Sequence, residues 1–91
     1  MNLNDDQLKK LVTLGCLGYS VDQCVNVVDP DDEAAFRHAF QSEGSAVWKA
    51  YRKGIDIAAF AIDSKLFDMA KGGDTKALAK LEERQRLRQL K

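Results

Sequence analysis

The sequence predicts an all-α fold: a helix-turn-helix-like three-helix unit over residues 1–44, then a long antiparallel helical hairpin over 45–91. Three observations predict it. Apolar residues recur at helical spacing along nearly the whole chain, and no run of β-branched alternation argues for a sheet. Two S/N-x-x-Q pairs, Asn4/Gln7 and Ser20/Gln23, have the spacing of reciprocal helix N-caps. Glycines sit at segment ends, and the chain has a single proline, Pro30.

The first helix starts after Asn4, shows Leu8, Leu11, Val12 and Leu14 on one face, and is expected to stop at Gly15, with Gly18 in the connection. Ser20 starts a short second helix that buries Val21, Cys24, Val25 and Val28, although its valines alone would suggest a strand. Asp29 is expected to cap the third helix, with Pro30 at its first position and Asp31, Asp32 and Glu33 on the positive end of its dipole. Ala35, Phe36, Ala39 and Phe40 form its core face, and it ends near Ser42–Gly44.

The fourth helix is expected from about Ser45 to Lys71. Trp48, Ile55, Ile62 and Met69 recur every seven residues, with Tyr51, Ala59 and Leu66 between them, which makes one coiled-coil-like seam. Ile57, Phe60, Ala61 and Phe67 fall on another side, and a helix with two large apolar stripes needs two partners. Gly54 reads as a weak position, costing about 1 kcal/mol against Ala. Gly72-Gly73 ends the helix, Asp74 caps the fifth, and that helix runs from Thr75 toward Leu90.

Charge is unevenly spread. Residues 1–45 hold three basic and eight acidic side chains, and residues 46–91 hold eleven basic and six acidic ones, so the 91-residue chain has no formal net charge. Such asymmetry points to a polyanion partner for the second half or to self-association of opposite ends. Cys16 and Cys24 read as free, buried thiols in a reducing compartment. With His38 the only histidine, they make a poor metal set, and no metal or other cofactor is expected. There is no apolar signal core near the start and no stretch of ~18 apolar residues, so no membrane partner is expected. No nucleophile has an evident base and no glycine-rich phosphate loop exists, so enzymatic activity is not expected.

The second and third helices have helix-turn-helix proportions. Together with the stretch Tyr51 to Leu78, and its turn Ala70-Lys71-Gly72-Gly73-Asp74-Thr75-Lys76-Ala77-Leu78, the chain resembles the small terminase subunits of tailed phages over roughly residues 5–85. The resemblance implies a DNA-packaging protein in the cytoplasm of a bacterial host. It would form a homo-oligomeric ring through its hairpin, bind double-stranded viral DNA and regulate a large ATPase-nuclease subunit. Longer family members contact that subunit through a further C-terminal segment, for which this chain lacks room.

Residues open to DNA on this reading are Lys9, Lys10, Arg37, His38 and Gln41, or Arg84, Arg86 and Arg88 on the fifth helix. Lys49, Arg52, Lys53, Lys76 and Lys80 would add weak contacts once multiplied around a ring. The three carboxylates at the start of the third helix oppose simple major-groove docking of that end. Candidates for the subunit interface are Trp48, Tyr51, Ile55, Ile57, Phe60, Ile62, Phe67 and Met69. Two rivals remain: a dimeric helix-turn-helix transcription regulator, and a helical adaptor that binds only protein.

Overall fold

Reciprocal side-chain caps set the first two helices. In the computed structural model, which describes residues 2–89, the Asn4 amide N–H donates to Gln7 Oε1 at 2.9 Å and the Gln7 N–H returns a bond to Asn4 Oδ1 at 2.8 Å. Ser20 and Gln23 do the same for the next helix, at 2.9 and 3.3 Å. Each box satisfies two N–H groups that a helix start leaves orphaned. The described residues form five helices and no strand: α1 (Asp5–Leu17), α2 (Val21–Val28), α3 (Glu33–Gln41), α4 (Ala46–Lys71) and α5 (Thr75–Gln89). Leu90 and Lys91, the expected end of α5, lie outside the described residues. The chain divides into two compact units, Met1–Ala58 and Ala59–Lys91, and α4 runs through the boundary.

The first unit is built on a core of Leu11, Leu14, Cys24, Val25, Val28, Phe36 and Val47, with Leu3, Val21, Ala39, Phe40, Ala50 and Tyr51 packed against it. Phe36 and Leu11 are wholly buried. Ser45 joins α3 to α4: its hydroxyl donates to the Ala39 carbonyl and accepts from the Trp48 N–H at 3.0 Å.

Two helix boundaries differ from the sequence expectation. α1 does not stop at Gly15. It continues to Leu17 and closes at Gly18, whose φ of 70° lets its N–H reach back to the Gly15 carbonyl at 3.2 Å. Likewise, Asp29 does not cap α3, and Pro30 is not the first residue of that helix. Asp29 terminates α2 instead, with φ 51° and its N–H on the Val25 carbonyl at 2.9 Å. A residue in the left-handed conformation cannot also take the extended backbone of an N-cap. Asp32 therefore caps α3, accepting from the Ala35 N–H at 3.0 Å.

Gly15 stays helical because α1 and α4 nearly touch there. A Cβ on Gly15 would fall inside contact distance of the Tyr51 carbonyl and 3.2 Å from Gly54 Cα. One on Gly54 would overlap the Val12 carbonyl and stand 2.8 Å from the Cys16 nitrogen and 2.9 Å from Gly15 Cα. The obstacles are backbone atoms, so no rotamer change relieves them. Gly54 is thus a packing requirement rather than a weak point. Around it, α4 turns Val47, Ala50, Tyr51 and Gly54 inward, while Trp48 and Ile55 of the seven-residue seam are only half-buried.

In the second unit, Gly72 and Gly73 (φ 99°) end α4, and the Asp74 N–H returns to the Met69 carbonyl at 3.1 Å. Asp74 then caps α5, accepting from the Ala77 N–H at 3.0 Å. Ala77 and Leu81 are the buried side chains of α5.

Helix propensity predicts that Gly54→Ala stabilises by about 1 kcal/mol. The close approach predicts the opposite, a loss of about 2 kcal/mol or more from overpacking against rigid backbone. Urea unfolding of Gly15→Ala and Gly54→Ala checks the sign, and a gain in either would refute the crossing.

Candidate assembly and nucleic-acid surfaces

Arg37 lies on α3 where a reading helix would want a free cation, but two carboxylates hold it. Its Nη1 is 2.7 Å from Asp22 Oδ1 and its Nε donates to Glu33 Oε2 at 3.0 Å. The bonds to Asp22 and then Glu33 raise the guanidinium pKa above its ordinary value. Arg37 thereby ties α3 to α2. His38 and Gln41, on the same helix, are exposed, as are Lys9 and Lys10 on α1.

Two of the three α5 candidates are likewise engaged. Arg84 Nε donates to Asp63 Oδ1 and Arg88 Nη2 to Asp63 Oδ2, both at 2.6 Å. One carboxylate of α4 thus clasps two guanidiniums spaced four residues apart on α5. The Asp63 side chain is 21% exposed, and its bond to Arg84 is the main cause of a pKa below the usual carboxylate value. Arg86 is exposed and makes no ion pair among the described residues. Sequence reasoning missed Asp63. The available signal was one carboxylate inside the apolar run Ile57-Ala-Ala-Phe-Ala-Ile-Asp63, with arginines at a matching distance beyond the Gly72-Gly73 turn.

The interface candidates fall into two groups. Tyr51 is used within its own unit: its ring sits 4.8 Å from Phe40, and its hydroxyl donates to the Tyr19 carbonyl at 2.6 Å. Burial pushes its phenol pKa up, and the neighbouring Cys24 adds to the shift. Trp48 and Ile55 are half-buried beside it in sequence. Ile57, Phe60, Ile62, Phe67 and Met69 are exposed, Phe60 to 73%. In the second unit Asp63 shares a helix face with the half-buried Ala59, Leu66 and Ala70. On one flank of that face lie Ile62 and Met69, and on the other Phe60 and Phe67. The Lys71 ammonium stands 4.9 Å over the Phe67 ring.

Cys16 and Cys24 are both free thiols; Cys24 is buried, Cys16 only half-buried, and burial raises the pKa of Cys24. Among the described residues, no group of three His, Cys, Asp or Glu side chains is placed to hold a metal ion. No helix there is long and apolar enough to cross a membrane.

No protein family, curated protein or solved structure matches this chain.

The Asp63 clasp has a pH signature. Its folded-state pKa is lowered, so its contribution is complete above the unfolded Asp value of ~3.9 and is lost as pH falls through the lower folded value. Because the pairs are partly solvent-screened, Asp63→Asn should cost about 1 kcal/mol or less at neutral pH. The loss should fade as pH falls below the unfolded value and through the lower folded one, where wild-type Asp63 also protonates. Thermal unfolding of both proteins across that range checks this. A deficit that persists in acid would mean the clasp is not electrostatic.

Proposed function

We propose that the protein is a homo-oligomeric DNA-packaging protein of the terminase small-subunit kind, which assembles into a ring, binds double-stranded DNA and regulates a packaging motor. On this reading α2 and α3 are a helix-turn-helix-like pair, and α4 with α5 is the assembly hairpin. The observation that carries the proposal is the apolar surface of α4: Phe60, Ile62, Phe67 and Met69 stay exposed on both flanks of the face that bears Asp63. Burying such side chains is worth about 1.5–3 kcal/mol each, a strong drive toward a partner. A second copy supplies two matching flanks at no further genetic cost.

DNA contact on this reading falls to exposed side chains without a carboxylate partner. Arg37, Arg84 and Arg88 are committed within the fold, which leaves Lys10, His38, Gln41 and Arg86 as the exposed members of the original set beside Lys9. The commitment of those three arginines favours a second reading, a helical adaptor that binds only protein.

Light scattering should give a mass several times 10.1 kDa. Phe60→Asp with Phe67→Asp should reduce that mass with helicity retained, since both rings are exposed in the single chain. A monomeric wild-type protein would sink the assembly reading. Fluorescence anisotropy with duplex DNA separates the two readings. Packaging predicts binding that weakens steeply with salt and with Arg86→Glu, whereas the adaptor predicts none.

A further inference from the structure

Two separate places in the first unit hold clustered charges of opposite sign. Lys9, Lys49 and Lys53, with Leu8, Val12 and Ala50 beneath them, line an open groove of about 330 Å³ between α1 and the start of α4. All three lysines are exposed and none belongs to an ion pair among the described residues; Asp5 is the one acid on the rim. The α2–α3 link presents the opposite charge. Asp29, Asp31 and Asp32 are exposed there, and Asp29 and Asp31 have no cationic partner among the described residues.

One copy does not bring these two places together. Gln7 Nε2 donates to the Val28 carbonyl at 3.2 Å, which fixes the end of α2, and so Asp29, beside the Gln7 face of α1. Lys9 is two residues further along α1 and therefore projects from the opposite side of that helix.

We propose that the lysine groove receives the acidic α2–α3 link of a second copy of this chain. The ammonium groups of one copy pair with Asp29 and Asp31 of the next, and Pro30, which lies between those aspartates, rests on the Leu8, Val12 and Ala50 floor. Charge complementarity selects this occupant. A nucleic-acid backbone is the lesser fit, because residues 1–58 hold nine acidic side chains against six basic ones and repel a polyanion at long range. Groove and link are different surfaces, so the contact is head-to-tail, and repeating it closes a ring or extends a filament. The inference rests on the assembly reading above and gives it a second, polar contact beside the apolar one on α4.

The test uses the full chain in sedimentation velocity at about 50 mM and about 500 mM salt, where screening differs about threefold in length. Wild type should associate more weakly in high salt. Lys49→Glu with Lys53→Glu, and separately Asp31→Lys, should each weaken association roughly tenfold or more with circular dichroism unchanged. Mixing the two variants should restore a joint assembly, since the reversed groove of one fits the reversed link of the other. Failure of the mixture to reassemble overturns the proposal. So does a groove variant that assembles normally but loses binding to a duplex DNA probe, which would make the groove a nucleic-acid site. Loss of assembly in Phe60→Asp/Phe67→Asp alone, with the charge variants unaffected, removes this contact and leaves the apolar interface standing. A wild type that is monomeric in both salts removes both.

Discussion

Everything in the first unit depends on two helices meeting where neither has a side chain. Gly15 of α1 and Gly54 of α4 let backbone approach backbone, and a methyl group on either would collide with main-chain atoms of the other helix. The approach has a cost, since glycine is a poor helix former, and it draws its return from neighbours. With α1 carried past Gly15, Leu14 packs into the core and the Tyr19 carbonyl comes within reach of the Tyr51 hydroxyl. That bond and the Phe40 ring hold Tyr51 in place. Further along the same two helices, α1 and the start of α4 border the groove flanked by lysines.

The second unit is stabilised differently. Its short α5 buries only Ala77 and Leu81 among the described residues, and a helix with so narrow an apolar contact gains little from burial. The Asp63 clasp adds orientation: one carboxylate meeting two guanidiniums fixes how α5 is turned about its own axis and where it lies along α4. Exposed pairs of this kind contribute little energy, so their value here is register. A consequence is that much of the apolar surface of α4 remains uncovered within the unit.

How much of this was legible in the sequence depends on whether the signal was local. The two capping boxes were readable because an N-cap and its partner three residues on form a closed local circuit, and both occur as expected. The core faces of α2 and α3 followed from spacing, and the all-helical class followed from both. Asp29 misled because Asp serves equally as a left-handed helix terminator and as an N-cap, and the choice between them is made by α2, which needed an end. Gly54 misled for a deeper reason. Its local meaning is a helix defect, and its actual role depends on Gly15, 39 positions earlier in the numbering, which no periodicity within α4 reveals. Of the site residues, Arg84 and Arg88 looked like free cations because their partner Asp63 sits on another helix; Arg37 has one such distant partner, Asp22, and one local partner, Glu33, four residues back on its own helix.

That redistribution changes what the charge asymmetry means. A chain with an acidic first half and a basic second half suggests a polyanion partner, but part of the second-half surplus is consumed at Asp63, and Arg37 is consumed in the first half by Asp22 and Glu33. Two of the clusters left unpaired in the first unit, the groove lysines and the α2–α3 link aspartates, are of opposite sign and separated across α1. A surface that is self-complementary across its two sides has a natural solution in another copy of itself. The exposed apolar flanks of α4 ask for the same thing by a different force. Two independent surfaces, one polar and salt-sensitive and one apolar and salt-tolerant, would let association be specific through the first and durable through the second. A head-to-tail polar contact also breaks the symmetry that an apolar helix face alone would leave open. Repeated from copy to copy, such a contact would give a ring or a filament rather than a simple two-fold dimer.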